Sequence, residues 1–173
     1  MLPVLPHLVD LAGGGGERSP LTHIDDDGAA TMVDIGDKTE RFRRAVAAGR
    51  ITLGPETVEA VRHDEIEKGD VNSAVRIGAV DAVKHAWEAI PLCHQIPITS
   101  VDTEIAIADD GIELEVGVET TARTGPEMEA LHGVTTGLNV AWDMVKAVEK
   151  DDHGQYPTTR IQDVRVVEKI VDR

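Results

Sequence analysis

Lys68, Asp143 and Lys146 are the residues whose types and spacing point first to chemistry. Asp143 and Lys146 stand three apart in a segment patterned as a helix, so their side chains share a face. A lysine that moves protons near neutral pH must have its charged form disfavoured by burial or by a neighbouring cation, with the carboxylate holding its ammonium. Lys68, in Lys68-Gly69-Asp70, supplies that cation if the fold or a second subunit brings it close. Taken alone, the Asp143–Lys146 pair reads more simply as a solvated ion pair. Lys68-Gly69-Asp70 alone reads as a helix start, with Gly69 allowing a tight turn and Asp70 capping. Against that simpler reading, the chain has only 6 lysines in 173 residues, and these two sit in well-patterned segments.

Two further motifs mix ionisable and apolar residues. Pro91-Leu92-Cys93-His94 follows an expected helix end. Neighbours in extended chain point opposite ways, so a thiol–imidazole couple is disfavoured. His94 is read as a ligand-facing donor and Cys93 as a packing residue. In Thr124-Gly125-Pro126-Glu127-Met128-Glu129-Ala130-Leu131, Glu127 and Glu129 fall in a first helical turn, where negative charge is favoured. Met128 and Leu131 beside them imply partial burial and a binding role. The other histidines have no metal-like spacing with acids, and no metal site is expected.

The elements that must position these groups follow from periodicity. Arg41 to Leu53 is ambiguous between strand and helix and is assigned as a strand for topological reasons. Pro55 opens a short helix through Val61. Val71, Ala74, Val75, Gly78, Ala82, Ala86 and Ile90 form one stripe, which predicts a helix over 70–90 with a small-residue face. Val101 to Ile107 and Ile112 to Val118 alternate around Asp110-Gly111, a hairpin signal. Thr124 with Glu127 resembles a capping box. Leu131, Val134, Leu138, Val145 and Val148 carry a helix to about Lys150. A polar loop over 151–159 precedes a last strand over 164–171. The resulting βαββαβ order predicts an α+β, ferredoxin-like antiparallel sheet with helices on one face. Residues 1–20, with three prolines and four consecutive glycines, read as a flexible tail, leaving 21–173 as a single domain.

Taken together, these motifs resemble the MoaC family of cyclic pyranopterin monophosphate synthases, lyases of molybdenum cofactor biosynthesis. The likeness runs from Leu21-Thr22-His23-Ile24 and Met32-Val33-Asp34 to the last strand. It implies conversion of a cyclised dihydroguanosine triphosphate into cyclic pyranopterin monophosphate with release of diphosphate. It also implies a cytoplasmic homohexamer, a trimer of dimers, with active sites at subunit interfaces, where Lys68 meets Asp143 and Lys146 across a boundary. By motif match, Lys68, Asp143 and Lys146 fall on catalytic positions, and Cys93, His94, Glu127, Met128 and Glu129 on substrate-pocket positions. No cofactor is implied beyond Mg2+ on the triphosphate. Arg41, Arg43 and Arg44 are added candidates for the triphosphate. This chain departs from the family pattern at Glu67, Gln95 and Pro126. A non-catalytic nucleotide-binding or scaffold protein of the same fold is the competing reading.

Composition sets the bounds. The net charge of −15 argues against nucleic acid as a partner, because phosphate neutralisation needs the opposite sign. Acid excess with arginine favoured over lysine resembles proteins from salt-loving microbes, and equally fits an ordinary acidic, soluble enzyme. Cys93 is the single cysteine, which excludes an intrachain disulfide and fits a reducing compartment. No apolar run reaches the ~20 residues that span a bilayer, so no membrane partner is expected. The four aromatics, Phe42, Trp87, Trp142 and Tyr156, leave the core to Val, Ile, Leu and Ala.

Overall fold

Four extended segments pair into one antiparallel sheet. They are β1 (Arg41–Thr52), β2 (Ile98–Ala108), β3 (Gly111–Ala122) and β4 (Arg160–Val171), in the order β2-β3-β1-β4. Of these, β2 and β3 alternate apolar and polar residues. The helices are α1 (Pro55–Arg62), α2 (Val71–Lys84), α3 (Ala86–Ala89) and α4 (Glu127–Glu149). This computed structural model describes residues 28–172, and the expected tail through residue 20 lies outside them. Contacts divide the chain into Met1–Val33 and Asp34–Arg173, and every element named here belongs to the second unit.

The βαββαβ order is that of a ferredoxin-like α+β fold. The ambiguous 41–53 segment is the central strand, hydrogen-bonded to β3 on one side and β4 on the other. Partners on both sides satisfy most of its backbone groups, which outweighs the helical preference of its alanines. Ala45, Ala47 and Ile51 face the helices with Ile112, Leu114, Val116 and Val118 of β3, all fully buried. Val134, Leu138, Ala141 and Val145 of α4 close the other side of this core. At the β2–β3 turn a Cβ on Gly111 would lie 1.9 Å from the Ile51 carbonyl oxygen, so only glycine fits.

Small residues let α2 and α4 approach closely. A Cβ on Gly78 would stand 2.7 Å from a Val140 methyl, and one on Gly133 would stand 2.8 Å from a Val83 methyl. Four sequence expectations are corrected. The helix expected over 70–90 breaks at His85, which ends α2 and precedes the four-residue α3. The buried stripe of α2 runs through Val71, Val75, Ala79, Ala82 and Val83 instead of Ala74 and Gly78. Helix α4 starts at Glu127 with Pro126 at the cap and no side-chain cap hydrogen bond, so Thr124 does not form the capping box. In the last turn of α4, Val148 is exposed and Glu149 points inward. Its Oε1 accepts from Gly54 N at 2.9 Å and its Oε2 from the Thr159 hydroxyl. Two strong donors at that position favour a carboxylate over an apolar side chain.

Candidate active site

The start of α2 and the C-terminal half of α4 bring Lys68, Asp143 and Lys146 together. Gly69 adopts φ +101°, a backbone conformation suited to glycine, and turns the chain into α2. Asp70 caps that helix by accepting from Ser73 N at 3.1 Å. With the turn fixed, Lys68 Nζ reaches Asp143 Oδ2 at 2.7 Å and the Asp143 carbonyl oxygen at 2.5 Å. Lys146 Nζ donates to Asp143 Oδ1 at 2.6 Å across the expected three-residue helical spacing. The contact to Lys68 lies within one chain, so the expectation that Lys68 meets Asp143 across a subunit boundary is corrected. The α2–α4 packing supplies what a second subunit was expected to provide. Glu67 is exposed, and the Lys68 ammonium goes to Asp143.

The electrostatics follow from that geometry. The hydrogen bond from Lys146, and then that from Lys68, hold the Asp143 carboxyl down at about 2. The Asp143 hydrogen bond and charge hold Lys146 above the ordinary lysine range, which corrects the expectation that its charged form is disfavoured, because the shared carboxylate outweighs the nearby Lys68 cation. Near neutral pH this arrangement is an ionised carboxylate between two ammoniums. It carries one net positive charge in a chain of net charge −15. All three side chains keep access to solvent. The site can therefore meet an anion and donate protons from nitrogen.

A second cluster forms at the opposite end of α4. Glu129 is 3% exposed, and its Oε1 accepts from the Cys93 thiol at 3.5 Å. Its Oε2 has no hydrogen-bond partner. Burial, foremost, raises the Glu129 carboxyl. Burial also pushes the Cys93 thiol up to about 11, with the Glu129 charge and hydrogen bond adding to it. Near neutral pH Cys93 is thus a thiol donor and not a thiolate. His94 is half-buried beside it, and Met128 is 39% exposed on the first turn of α4.

Glu127 meets Lys169 of β4, an ion pair that sequence reasoning missed. Its carboxylate also folds back over Gly125, where any Cβ would stand 2.1 Å from Oε2. The only sequence signal for Lys169 was a lone lysine in an apolar final strand. Arg43 reaches the same end of the sheet, donating to the carbonyls of Ala122 at 3.0 Å and Arg123 at 3.4 Å. Arg44 is instead taken up by Glu119 and Glu168.

The two clusters do not meet within one chain. Glu129 and Asp143 are fourteen residues apart on one helix, hence about 21 Å along its axis. A cavity of about 480 Å3 lies elsewhere, on the open side of the sheet among Arg50, Glu104, Glu113, Glu115 and Arg165. These residues alternate with the core set and so face away from α2 and α4. Among the described residues no group of three or more His, Cys, Asp or Glu is placed to hold a metal ion. None of the described helices is long and apolar enough to cross a membrane.

Comparison with known proteins bears on the same residues. The model of the MoaC family matches residues 32–171. A protein of Natronomonas pharaonis named "Probable cyclic pyranopterin monophosphate synthase" is 62% identical over 153 residues, covering 88% of this chain and 96% of its own. Proteins of the same name from Halobacterium salinarum and Pyrococcus abyssi are 60% and 55% identical, each covering 87% of this chain and 93% and 94% of their own. The matched residues span every strand and helix and both side-chain clusters, and on that basis the chain belongs to the MoaC family.

Proposed function

We propose that this chain is a cyclic pyranopterin monophosphate synthase, a lyase of molybdenum cofactor biosynthesis. It converts a cyclised dihydroguanosine triphosphate to cyclic pyranopterin monophosphate and releases diphosphate. The observation that carries this reading is the Asp143 carboxylate held between Lys68 and Lys146 inside one chain. Opening one ring and closing another requires several proton transfers, and forming a cyclic phosphate requires cationic groups directed at the departing, negatively charged diphosphate. Lys146, held as an ammonium by Asp143, donates a proton. Asp143 keeps both amines oriented, and Lys68 adds positive charge toward the triphosphate. Mg2+, if required, enters on the triphosphate as part of the substrate.

Cys93, His94, Glu127, Met128 and Glu129 form the substrate-binding wall in this reading. Glu129 carries a buried oxygen without a partner, which suits a donor on the ligand. That wall lies about 21 Å along α4 from Asp143, which is too far for both sets to hold the reacting part of one small molecule. The reading therefore joins the wall of one subunit to the Lys68–Asp143–Lys146 set of another, in a homohexamer built as a trimer of dimers. Edge strand β4 supports assembly, because Val166, Val167, Ile170 and Val171 are exposed along it. A cytoplasmic location accords with the single unpaired cysteine.

The test is turnover by purified protein of the cyclised triphosphate, followed by release of diphosphate. Product formation that is lost in Asp143→Ala supports the reading. Nucleotide binding without turnover in the unmodified protein would make it a nucleotide-binding or scaffold protein instead.

A further inference from the structure

Trp142 and Lys146 stand four residues apart on one face of α4, and Lys150, the extended residue that caps the helix C-terminus, continues the row. The loop that follows the helix lays Tyr156 against both ends of that row. The Tyr156 ring meets Trp142 edge-on, with centroids 5.5 Å apart and planes at 78°. Lys150 Nζ sits 5.9 Å from the centre of the same ring. Lys146 is the middle member of the row, flanked by the two residues that Tyr156 touches.

The loop holds this position through its own bonds. The Asp151 carboxylate accepts from His153 N at 2.9 Å and Gln155 N at 2.8 Å, and Asp151 N donates to the Gln155 carbonyl at 3.0 Å. Beyond Tyr156, Thr159 is tied to Glu149. Tyr156 is therefore placed by a closed turn on one side and an anchored residue on the other.

We propose that Tyr156 is a positioning residue that acts through Lys146. Its ring limits where the Lys146 ammonium can go, and so keeps that ammonium on the carboxylate it shares with Lys68. The physical need is clear from Lys146 itself. It is a flexible four-carbon stem with 47% of its side chain exposed, and it has many rotamers that do not reach Asp143. A second effect works in the same direction. Lys150 is a like charge four residues from Lys146, and attraction to the Tyr156 ring face draws it aside. The charged and titratable groups around Lys146 are then Asp143 on α4, Lys150 at its C-terminal cap, Lys68 before α2, and Tyr156 from the loop. Nothing in the Lys68, Asp143 and Lys146 motifs points to Tyr156, which lies in a segment read from sequence only as a polar loop.

This inference rests on the reading that Lys146 takes part in turnover. It is tested on the assembled full chain with Tyr156→Ala, Tyr156→Phe and a Lys146→Ala control, measuring kcat, KM and the pH dependence of kcat. Tyr156→Ala is expected to lower kcat about tenfold, a modest loss for a misplaced catalytic group, with KM nearly unchanged. Its alkaline limb is expected to move to lower pH, because a Lys146 ammonium that strays from Asp143 loses the hydrogen bond that favours its charged form. Tyr156→Phe, which keeps the ring, is expected to recover most of that loss. Should Tyr156→Ala fail to fold, Tyr156→Leu keeps apolar bulk without the flat ring and carries the same expectation. Wild-type kcat and pH profile in the Ala or Leu variant, with Lys146→Ala inactive, overturn the role of Tyr156 alone. An active Lys146→Ala overturns the reading of Lys146 and this inference with it.

Discussion

Lys68 and Lys146 grip opposite oxygens of one carboxylate. Lys68 Nζ lies 2.7 Å from Asp143 Oδ2, and Lys146 Nζ lies 2.6 Å from Oδ1. Lys68 is seventy-five residues away in sequence from Asp143, whereas Lys146 is three away. The pairing is therefore a product of α2 packing on α4.

Because all three groups belong to one chain, they should be lost or kept together. Lys68→Ala and Lys146→Ala are each expected to lower turnover by about a hundredfold or more, the usual loss for a general acid–base group. Mixing the two variants should not restore activity, since every subunit then carries one broken set. By contrast, a mixture of Lys146→Ala with Glu129→Ala should recover part of it, because in the proposed assembly those defects lie in clusters that different subunits contribute. Recovery in the first mixture, with subunit exchange confirmed, would count against a set contained in one chain.

The Asp143 carboxyl is depressed to about 2, with Lys146 as the leading cause and Lys68 next. A depressed acid favours folding above its ordinary value near 3.8, and this contribution disappears as pH falls through about 2. The carboxyl carbon shift of Asp143, followed by NMR, should titrate near pH 2. In Lys146→Ala the midpoint should rise toward the ordinary range, and by more than in Lys68→Ala. An unchanged midpoint in both variants would mean the ion pairs do not persist in solution.

Cys93 should behave as a thiol. Held at about 11 by burial and by Glu129, it is expected to react with iodoacetamide much more slowly than an ordinary cysteine at pH 8. Cys93→Ser keeps nearly the same volume and should cost less than about tenfold in turnover, since the proton transfers proposed here use nitrogen donors. A covalent substrate adduct on Cys93 would refute this.

Glu149 fastens three parts of the fold at once. Its carboxylate takes Gly54 N, between β1 and α1, and the Thr159 hydroxyl, just before β4. Glu149→Ala leaves both donors unpaired near the core and should cost about 1–3 kcal/mol, read as a lower denaturation midpoint with unchanged slope. Glu149→Gln, which still offers one acceptor, should fall between. Val148→Ala, one residue earlier and half exposed, should change stability little.

The sequence by itself determined the element types wherever one periodicity ran long enough. The β2–β3 hairpin, the reach of α4 and the turn at Gly69 follow from local rules on alternation, helical spacing and backbone freedom. It also determined the Asp143–Lys146 contact, because a spacing of three on a helix fixes two side chains on one face. Tertiary structure alone decided the rest, since contacts between distant segments depend on how helices pack and not on the segments themselves. The choice of strand for the alanine-rich β1 depended on having two hydrogen-bonded neighbours. The inward place of Glu149 instead of Val148 depended on donors from Gly54 and Thr159. The arrival of Lys68 at Asp143 within one chain depended on small residues, Gly78 among them, that let α2 lie close to α4. The distance between the two clusters was decided by the straight length of α4, a single rigid helix that carries Glu129 and Asp143 on different turns and keeps them apart.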